Sequence, residues 1–505
     1  MTLPAGWHWT SLEELIGEEA PIVYGIIQAG PEVANGVPYI RPTELVDGRI
    51  VISSLKRTST TIASKYARST LRAGDIVLAI VGTIGKLAIV PPELEGANIT
   101  QSSARLRPPT FISPFYLAAA LQSPQLRAQF DQMEFGVAVR RLNISHVRAL
   151  RVPVAPANEQ RRIVSKLEAI FEKTRAAKAR LERLPALLHA LKRSVLAAAF
   201  RGDLTADWRE THPHVEPASV LAERIRAQRD DRTSLPPDTA YSSELPDAEL
   251  PDTWFVSLTA NVGQVQLGRQ LSAGKYSGAL HPYVRVANVA DDRISFDDIK
   301  EMEFSPQELA QYLLRPGDIV LSEGQSLDRL GQSAMYRAGD PPVCYQKTLN
   351  RFRATVAGPL PEYAQLYFRF CMHTGVFRAA GSITTNIAHL TQEKLRRIPF
   401  VLCPLDEQRV LVERVRSALA RVDDLARAVS ETRAKLAAVE KAALAKAFRG
   451  ELVDQDPADE PAAVLLDRIR AAAEDAATTT GAKRTRAAVK RTRAKARAAT
   501  AETES

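Results

Sequence analysis

The chain has 505 residues, of which 45% are hydrophobic and 25% charged, an ordinary soluble composition that argues against both wholesale disorder and a membrane protein and leaves room for two to four domains. A net charge of +9 suits a polyanionic partner, although much of the excess sits in a terminal run of Lys483, Arg484, Arg486, Lys490, Arg491, Arg493, Lys495 and Arg497. The three cysteines, Cys344, Cys371 and Cys403, have no Cys-x-x-Cys spacing and no clustered histidines, which speaks against a disulfide framework or a zinc site and reads as buried thiols in a reducing cytoplasm.

The opening Met-Thr-Leu-Pro-Ala-Gly-Trp lacks a basic-then-apolar signal, and no stretch of about 18 apolar residues follows, so a cytoplasmic location without membrane contact is expected. Residues 1–155 mix short apolar strands, turn residues and short helices: Asp75 to Ala79 reads as a strand after a Gly turn, and Phe115 to Leu121 as a helix. Within it VGTIGK at 81–86 looks like a phosphate-binding loop. That motif, however, needs Gly where Ile80 stands and Ser or Thr where Leu87 stands, so nucleotide binding is not expected.

A helical segment, 156–228, follows. Ile163, Leu167, Ile170, Thr174, Ala177, Leu181, Leu184, Leu188, Leu191, Val195 and Ala198 advance by alternating steps of four and three, the seam of a coiled coil, with Pro185 expected to kink the helix or restart it. Glu159 and Gln160 stand at its start, where a carboxylate favours the helix dipole, and Arg201 closes it. Residues 229–249 are rich in Asp, Ser and Pro and read as a linker. A second mixed unit, 250–403, has a strand at Asp318 to Leu321 and a helix at Tyr363 to Phe370. A second helical segment, 404–475, carries Leu411, Val415, Ala418, Val422, Leu425, Val429, Thr432, Leu436, Val439 and Ala443, with Arg433 where the first has Pro185. Residues 476–505 form a basic, low-complexity tail expected to be disordered.

The two halves repeat each other in order and spacing. LPAGW at 3–7 is answered by LPDTW at 250–254, YIRPTELVDGRI at 39–50 by YVRVANVADDRI at 283–294, and LRAGDIVL at 71–78 by LRPGDIVL at 314–321. EQRRIV at 159–164 and AFRGDL at 199–204 recur as EQRVLV at 407–412 and AFRGEL at 447–452, with one constant offset of 248. The expected fold is therefore mixed α/β: two globular units alternating with two long helices that pair as an antiparallel coiled coil about a pseudo-twofold repeat.

No Gly-x-Gly-x-x-Gly, Gly-x-Ser-x-Gly, His-Glu-x-x-His or Asn/Asp-Pro-Pro-aromatic motif is present, which lowers an enzymatic reading. A solitary nuclease with loosely spaced acidic residues and a DNA-binding coiled-coil scaffold remain the competing classes.

The duplicated order, with GDIVL, GTIG, and then PANEQRRIV from Pro156 and PLDEQRVLV from Pro404 opening each helix, resembles the specificity subunit of type I restriction-modification systems. The second unit departs from the pattern, having GQSLDRLG at 324–331 where GTIG would stand. The resemblance implies that 1–155 and 250–403 are target-recognition domains, each reading one half of a split sequence in double-stranded DNA. It further implies that 156–228 and 404–475 act as a spacer and dock two copies of a DNA adenine methyltransferase subunit, with a restriction/translocase subunit joining the full complex. S-adenosylmethionine, ATP and Mg would then belong to those partners, and this chain would carry no cofactor, metal or catalytic residue. A helix from Ile163 to Ala198 would be about 54 Å long at ~1.5 Å per residue, enough to hold two readers at least one DNA turn of ~34 Å apart. Base-edge readout needs polar side chains on loops. The candidates are Thr83, Lys86, Gln101, Ser102 and Ser103 in the first unit and Gln325, Ser326, Arg329, Gln346 and Lys347 in the second.

Overall fold

The computed structural model describes residues 3–17, 20–133, 140–228, 249–270, 278–384 and 387–471. The expected basic tail, and the expected linker apart from Glu249, lie outside these residues. The chain divides into two compact units, 1–180 with 431–505, and 181–430, so each unit combines one globular segment with portions of both helical segments.

In the first unit the central antiparallel sheet runs Val23–Tyr24, Ser103–Leu106, Ile76–Ala79, Leu87–Ile89. Ile76, Leu78, Ala104 and Leu106 face a core shared with Tyr116, Leu117, Leu121, Ile163 and Leu444, while Val77, Ala79 and Ala88 face a second core with Ile40, Leu45, Leu71 and Ile99. Both faces of the strand are buried, which is why IVLA is an apolar run rather than an alternation. The second unit repeats this plan with Gly263–Leu267, Leu349–Ala354, Ile319–Ser322, Ser333–Met335. Ile319, Leu321 and Phe352 face one core and Val320, Ala334 and Leu349 the other. The expected helices extend over Pro114–Gln122 and Pro361–Thr374.

The LR-x-GD motif is a turn held by its aspartate. Asp75 accepts from the Arg72 amide at 2.9 Å and takes a two-pronged contact from Arg107, each arm 2.7 Å; Asp318 does the same with the Arg315 amide at 2.8 Å and with Arg353. Bidentate guanidinium–carboxylate pairs of this kind fix direction as well as distance, so the strand leaves the turn on a set heading in both units.

The helical segments differ from each other. Ala157–Leu181 and Leu184–Phe200 are separate helices, broken at Glu182 and Arg183, with Pro185 in the first turn of the second, where its missing amide hydrogen costs nothing. Leu405–Ala447 runs unbroken for 43 residues. The seam is buried at Ile163, Leu167, Leu411, Val415, Val422 and Ala443, but Leu191, Leu425 and Val439 are 43, 53 and 49% exposed. The uniformly buried seam that the heptads suggest is thus not present over its whole length. Polar contacts accompany it: Thr174 and Lys178 both reach Glu440 in the first unit, and Lys192 pairs with Asp423 at 2.6 Å in the second.

Glu159 and Glu407 stand in the first turns of their helices, as their position in the sequence suggests, but they also do more than face the helix dipole. Both are buried, and each accepts a 2.9 Å hydrogen bond from an indole, Trp7 or Trp254, that opens its own unit. Their neighbours Gln160 and Gln408 donate to the Ala155 and Cys403 carbonyls. The helix starts are thereby cross-linked to the strand pairs His8–Ser11 with Arg151–Val154 and Phe255–Leu258 with Pro399–Leu402. Arg201 and Arg449, rather than capping carbonyls, pair with Asp203 and Glu451 two residues on. The three cysteines are unpaired and buried, all within the second unit, and burial pushes the Cys344 thiol up to about 12. Among the described residues no helix is long and apolar enough to cross a membrane.

Candidate nucleic-acid interface

In each unit two loops meet at one end of the central sheet. The first is the connection after Ile76–Ala79: eight residues separate the paired Leu78 and Leu87, whereas eleven separate Leu321 and Ser333 in the second unit. The second loop precedes the strand Ser103–Leu106 or Leu349–Ala354. The same backbone bonds join them. Ile80 donates to the Ser102 carbonyl and Leu142 to that of Ile80; Glu323 donates to Thr348 and Leu390 to Glu323, all at 2.7–2.9 Å. A third segment closes against the second loop, with Gln101 bonded to Ile26 and Lys347 to Arg269. There the backbones touch: a Cβ on Gly25 would lie 1.9 Å from the Ile99 carbonyl oxygen, and one on Gly268 would lie 2.3 Å from that of Gln346, so neither position tolerates a side chain.

Eight of the ten proposed readers, Ser102 and Ser103 aside, can be placed simply. Thr83 and Lys86 are exposed on the first loop, and Gln101 on the second. Ser326, Arg329 and Lys347 are exposed in the second unit, with Gln325 and Gln346 half-buried beside them. Ser102 is half-buried. Ser103 does not belong to the group: it is buried in the central strand, paired with Ala79, and its hydroxyl has no access to solvent. A polar Gln-Ser-Ser run reads as a loop, but the strand begins one residue earlier than that run suggests.

The side chains at the two sites differ in character. Around the first loop, Lys86, Arg127, Arg140 and Lys441 line a groove of about 1000 Å³ together with Asp47, Gln122 and Asp131. Arg127 donates to the Ile84 carbonyl at 3.1 Å and packs so close to Gly85, where φ is +79°, that an added Cβ would meet its Nη1 at 1.8 Å. Arg141, exposed, lies on the segment that bridges to Val81. In the second unit the loop carries Asp328, whose carboxyl is held below the usual range chiefly by the Ser326 hydroxyl, and Glu323 lies 3.6 Å from His389. Both sites carry charges of both signs, with cations in excess around the first loop, where Glu440 also lines the groove.

Two positioning residues have no signal in the sequence beyond the repeat. Arg105 and Arg351 occupy matching strand positions opposite Val77 and Val320, and both are buried without a carboxylate. Arg105 donates to the Pro21 carbonyl at 2.9 Å, and Arg351 to the Gln264 and Gln266 side chains at 2.7 and 2.8 Å. Burial lowers the proton affinity of both. They pin the strands that lead into the third segment of each site. Among the described residues no cluster of three or more His, Cys, Asp or Glu could hold a metal.

The family model for the type I restriction modification DNA specificity domain matches residues 27–186. The specificity subunit of the EcoBI type I restriction enzyme of Escherichia coli is 33% identical over 232 residues, 45% of this chain and 49% of that one, so the chain spans about half the length of that relative. The EcoKI specificity subunit of Escherichia coli K12 is 25% identical over 485 residues, 93% of this chain and 96% of the relative. A chain solved in work on the assembly and conformational transition of the type I R-M system shares the fold, with a TM-score of 0.61 at 21% identity, covering 90% of this chain and all of that one. The chain is thus similar to specificity subunits of type I restriction-modification systems, through the family model in its first half and through the EcoKI subunit over both halves, and it shares the fold of the solved chain.

Proposed function

We propose that this chain is the DNA sequence-specificity subunit of a type I restriction-modification complex, a non-catalytic protein that reads a bipartite target with one half assigned to each globular unit. The observation that carries this reading is the pair of loop sites. The same hydrogen bonds join Ile80 to Ser102 and Glu323 to Thr348, while the side chains above them differ. One scaffold presenting two chemistries suits a target whose halves differ. In the first unit Thr83, Lys86, Gln101 and Ser102 are the readers, with Ser103 now behind them; in the second they are Gln325, Ser326, Arg329, Gln346 and Lys347. Cations beside the groove serve phosphates, which position the protein without specifying sequence.

The two helical segments act as an antiparallel coiled-coil spacer, and the contacts of Thr174 and Lys178 with Glu440 and of Lys192 with Asp423 support that direction. The repeat gives one chain two equivalent docking faces, so two copies of an adenine methyltransferase subunit bind it, and the restriction/translocase subunit joins through them. S-adenosylmethionine, ATP and Mg are used by those partners. Adenine-methylation mapping in cells that co-express the chain with its methyltransferase tests this directly. A split methylated motif is expected, and exchange of residues 1–155 for the equivalent unit of a relative should change one half only. A change in both halves, or a contiguous motif, would refute independent reading.

A further inference from the structure

At the turn Ala290–Arg293 of the second unit, Asp291 receives both arms of Arg369 at 2.8 Å and lies 3.6 Å from His373 Nε2. Arg369 and His373 belong to the helix Pro361–Thr374. The His373 ring lies 5.3 Å from that of His189 on the helix Leu184–Phe200, at 68°. The same two helices are joined at their other ends by Phe200 against Tyr363, Tyr367 and Phe370, with centroids 5.1–5.4 Å apart. Asp292 adds a 3.0 Å pair with Arg337. Burial alone would push the Asp291 carboxyl up; the Arg369 and His373 side chains outweigh it and hold the carboxyl far below the usual range. A chain of contacts thus runs from the small β-turn, through the helix Pro361–Thr374, to the spacer helix.

The matching positions of the first unit are Asp47, Gln122, Leu126 and Ala437. No arginine or histidine stands there. Asp47, Gln122 and Ala437 instead line the open groove described above. At this place, then, the two units differ: an ionic cluster stands in one and an open groove in the other.

We propose that Asp291, Arg369, His373 and His189 form a positioning clamp that fixes the pose of the second recognition unit on its spacer helix, and thereby enforces the spacing between the two halves of the DNA target. The proposal rests on the bipartite reading above. None of the four is a base reader. A reader held on its helix at two ends, apolar at Phe200 and polar at Asp291, cannot rock to meet a half-site displaced by one base pair; with the polar end released, it can.

The test uses the chain assembled with its methyltransferase, comparing the parent with D291N and H189A. His189 is exposed, so H189A keeps the experiment available if D291N fails to fold. Methylation is measured on DNA carrying the native target and targets with one base pair more or fewer between the halves. Both half-sequences should be unchanged. The ratio of native to off-spacing methylation should fall about tenfold for D291N, within the range that one coupling contact commonly controls, and less for H189A. An unchanged ratio in folded, active complexes overturns the clamp, and so does an altered half-sequence, which would make these residues readers. A parent complex that methylates no split sequence would overturn the functional reading instead.

Discussion

Substituting Glu407 by Gln should cost far more stability than the same change at its counterpart Glu159. Glu407 is buried and accepts from the Trp254 indole at 2.9 Å, the Thr205 hydroxyl at 2.7 Å and Arg209 at 2.6 Å. Arg209 and Thr205 have Pro457 and Val453 as their counterparts in the first unit, and there Arg162 turns to Asp459 instead, at 2.6 Å. Glu159 therefore keeps its indole without a guanidinium, and burial raises its proton affinity. A carboxamide retains one acceptor, enough for either indole, but at position 407 it leaves Arg209 facing an uncharged group. Breaking a buried ion pair from one side costs about 3–5 kcal/mol, whereas loss of the unpaired charge at 159 should change stability by less than about 1 kcal/mol. For a unit of this size the first figure corresponds to a drop of roughly 6–20 °C in Tm. Scanning calorimetry of the parent and the two single variants measures it. Equal losses would show that Arg209 adds nothing to the 407 site, and the asymmetry argued here would be wrong.

Three further outcomes follow from the same structure. Because the folded-state proton affinity of Glu159 is raised, the unfolded chain ionises first as pH climbs out of the ordinary carboxylate range, so this group's contribution to stability falls there; calorimetry between pH 4 and 7 should show a shallower loss in E159Q than in the parent, and parallel curves would contradict it. G85A should weaken reading of the first half-site and leave the second intact, because φ of +79° and the Arg127 guanidinium both oppose a Cβ at a cost of about 1–3 kcal/mol; methylation mapping that shows both halves unchanged would dismiss this loop as a reader. Replacing Lys86 and Arg141 with Gln should weaken binding to any DNA and reduce the slope of log K against log salt by about 1.8, or ~0.9 per lost phosphate contact; an unchanged slope, measured by anisotropy, would place both cations away from DNA.

Much of this architecture is written locally. The GDIVL strands are legible because both of their faces are buried and the run is apolar, and the break before Leu184 is legible from Pro185. What pairs across long separations is not. Trp7 meets Glu159, and Asp291 meets His373, through folding alone, and nothing in the spacing of either residue announces the other. The position of Glu159 at a helix start is legible, but a carboxylate there is favourable whether or not it is buried, so its burial against Trp7 is not. The exposure of Leu425 and Val439 is hidden for a related reason: heptad spacing reports which residues share a helix face but not how closely another helix covers that face. The polar neighbours of Ser103 hide its place in the strand, although the alternation of Ala104 and Leu106 with Arg105 and Arg107 continues back through it.

The placement of the cysteines gives the molecule an internal clock for one half only. Cys344, Cys371 and Cys403 are buried in the second unit, and the first has none. Burial holds the thiols protonated and covered, and only an exposed thiolate reacts with an alkylating reagent. The rate at which a thiol reagent modifies the native chain therefore reports the opening of residues 181–430, with no engineered label. The same reagent is blind to the first unit, so any slowing of the labelling on addition of a target DNA would report on the second unit alone.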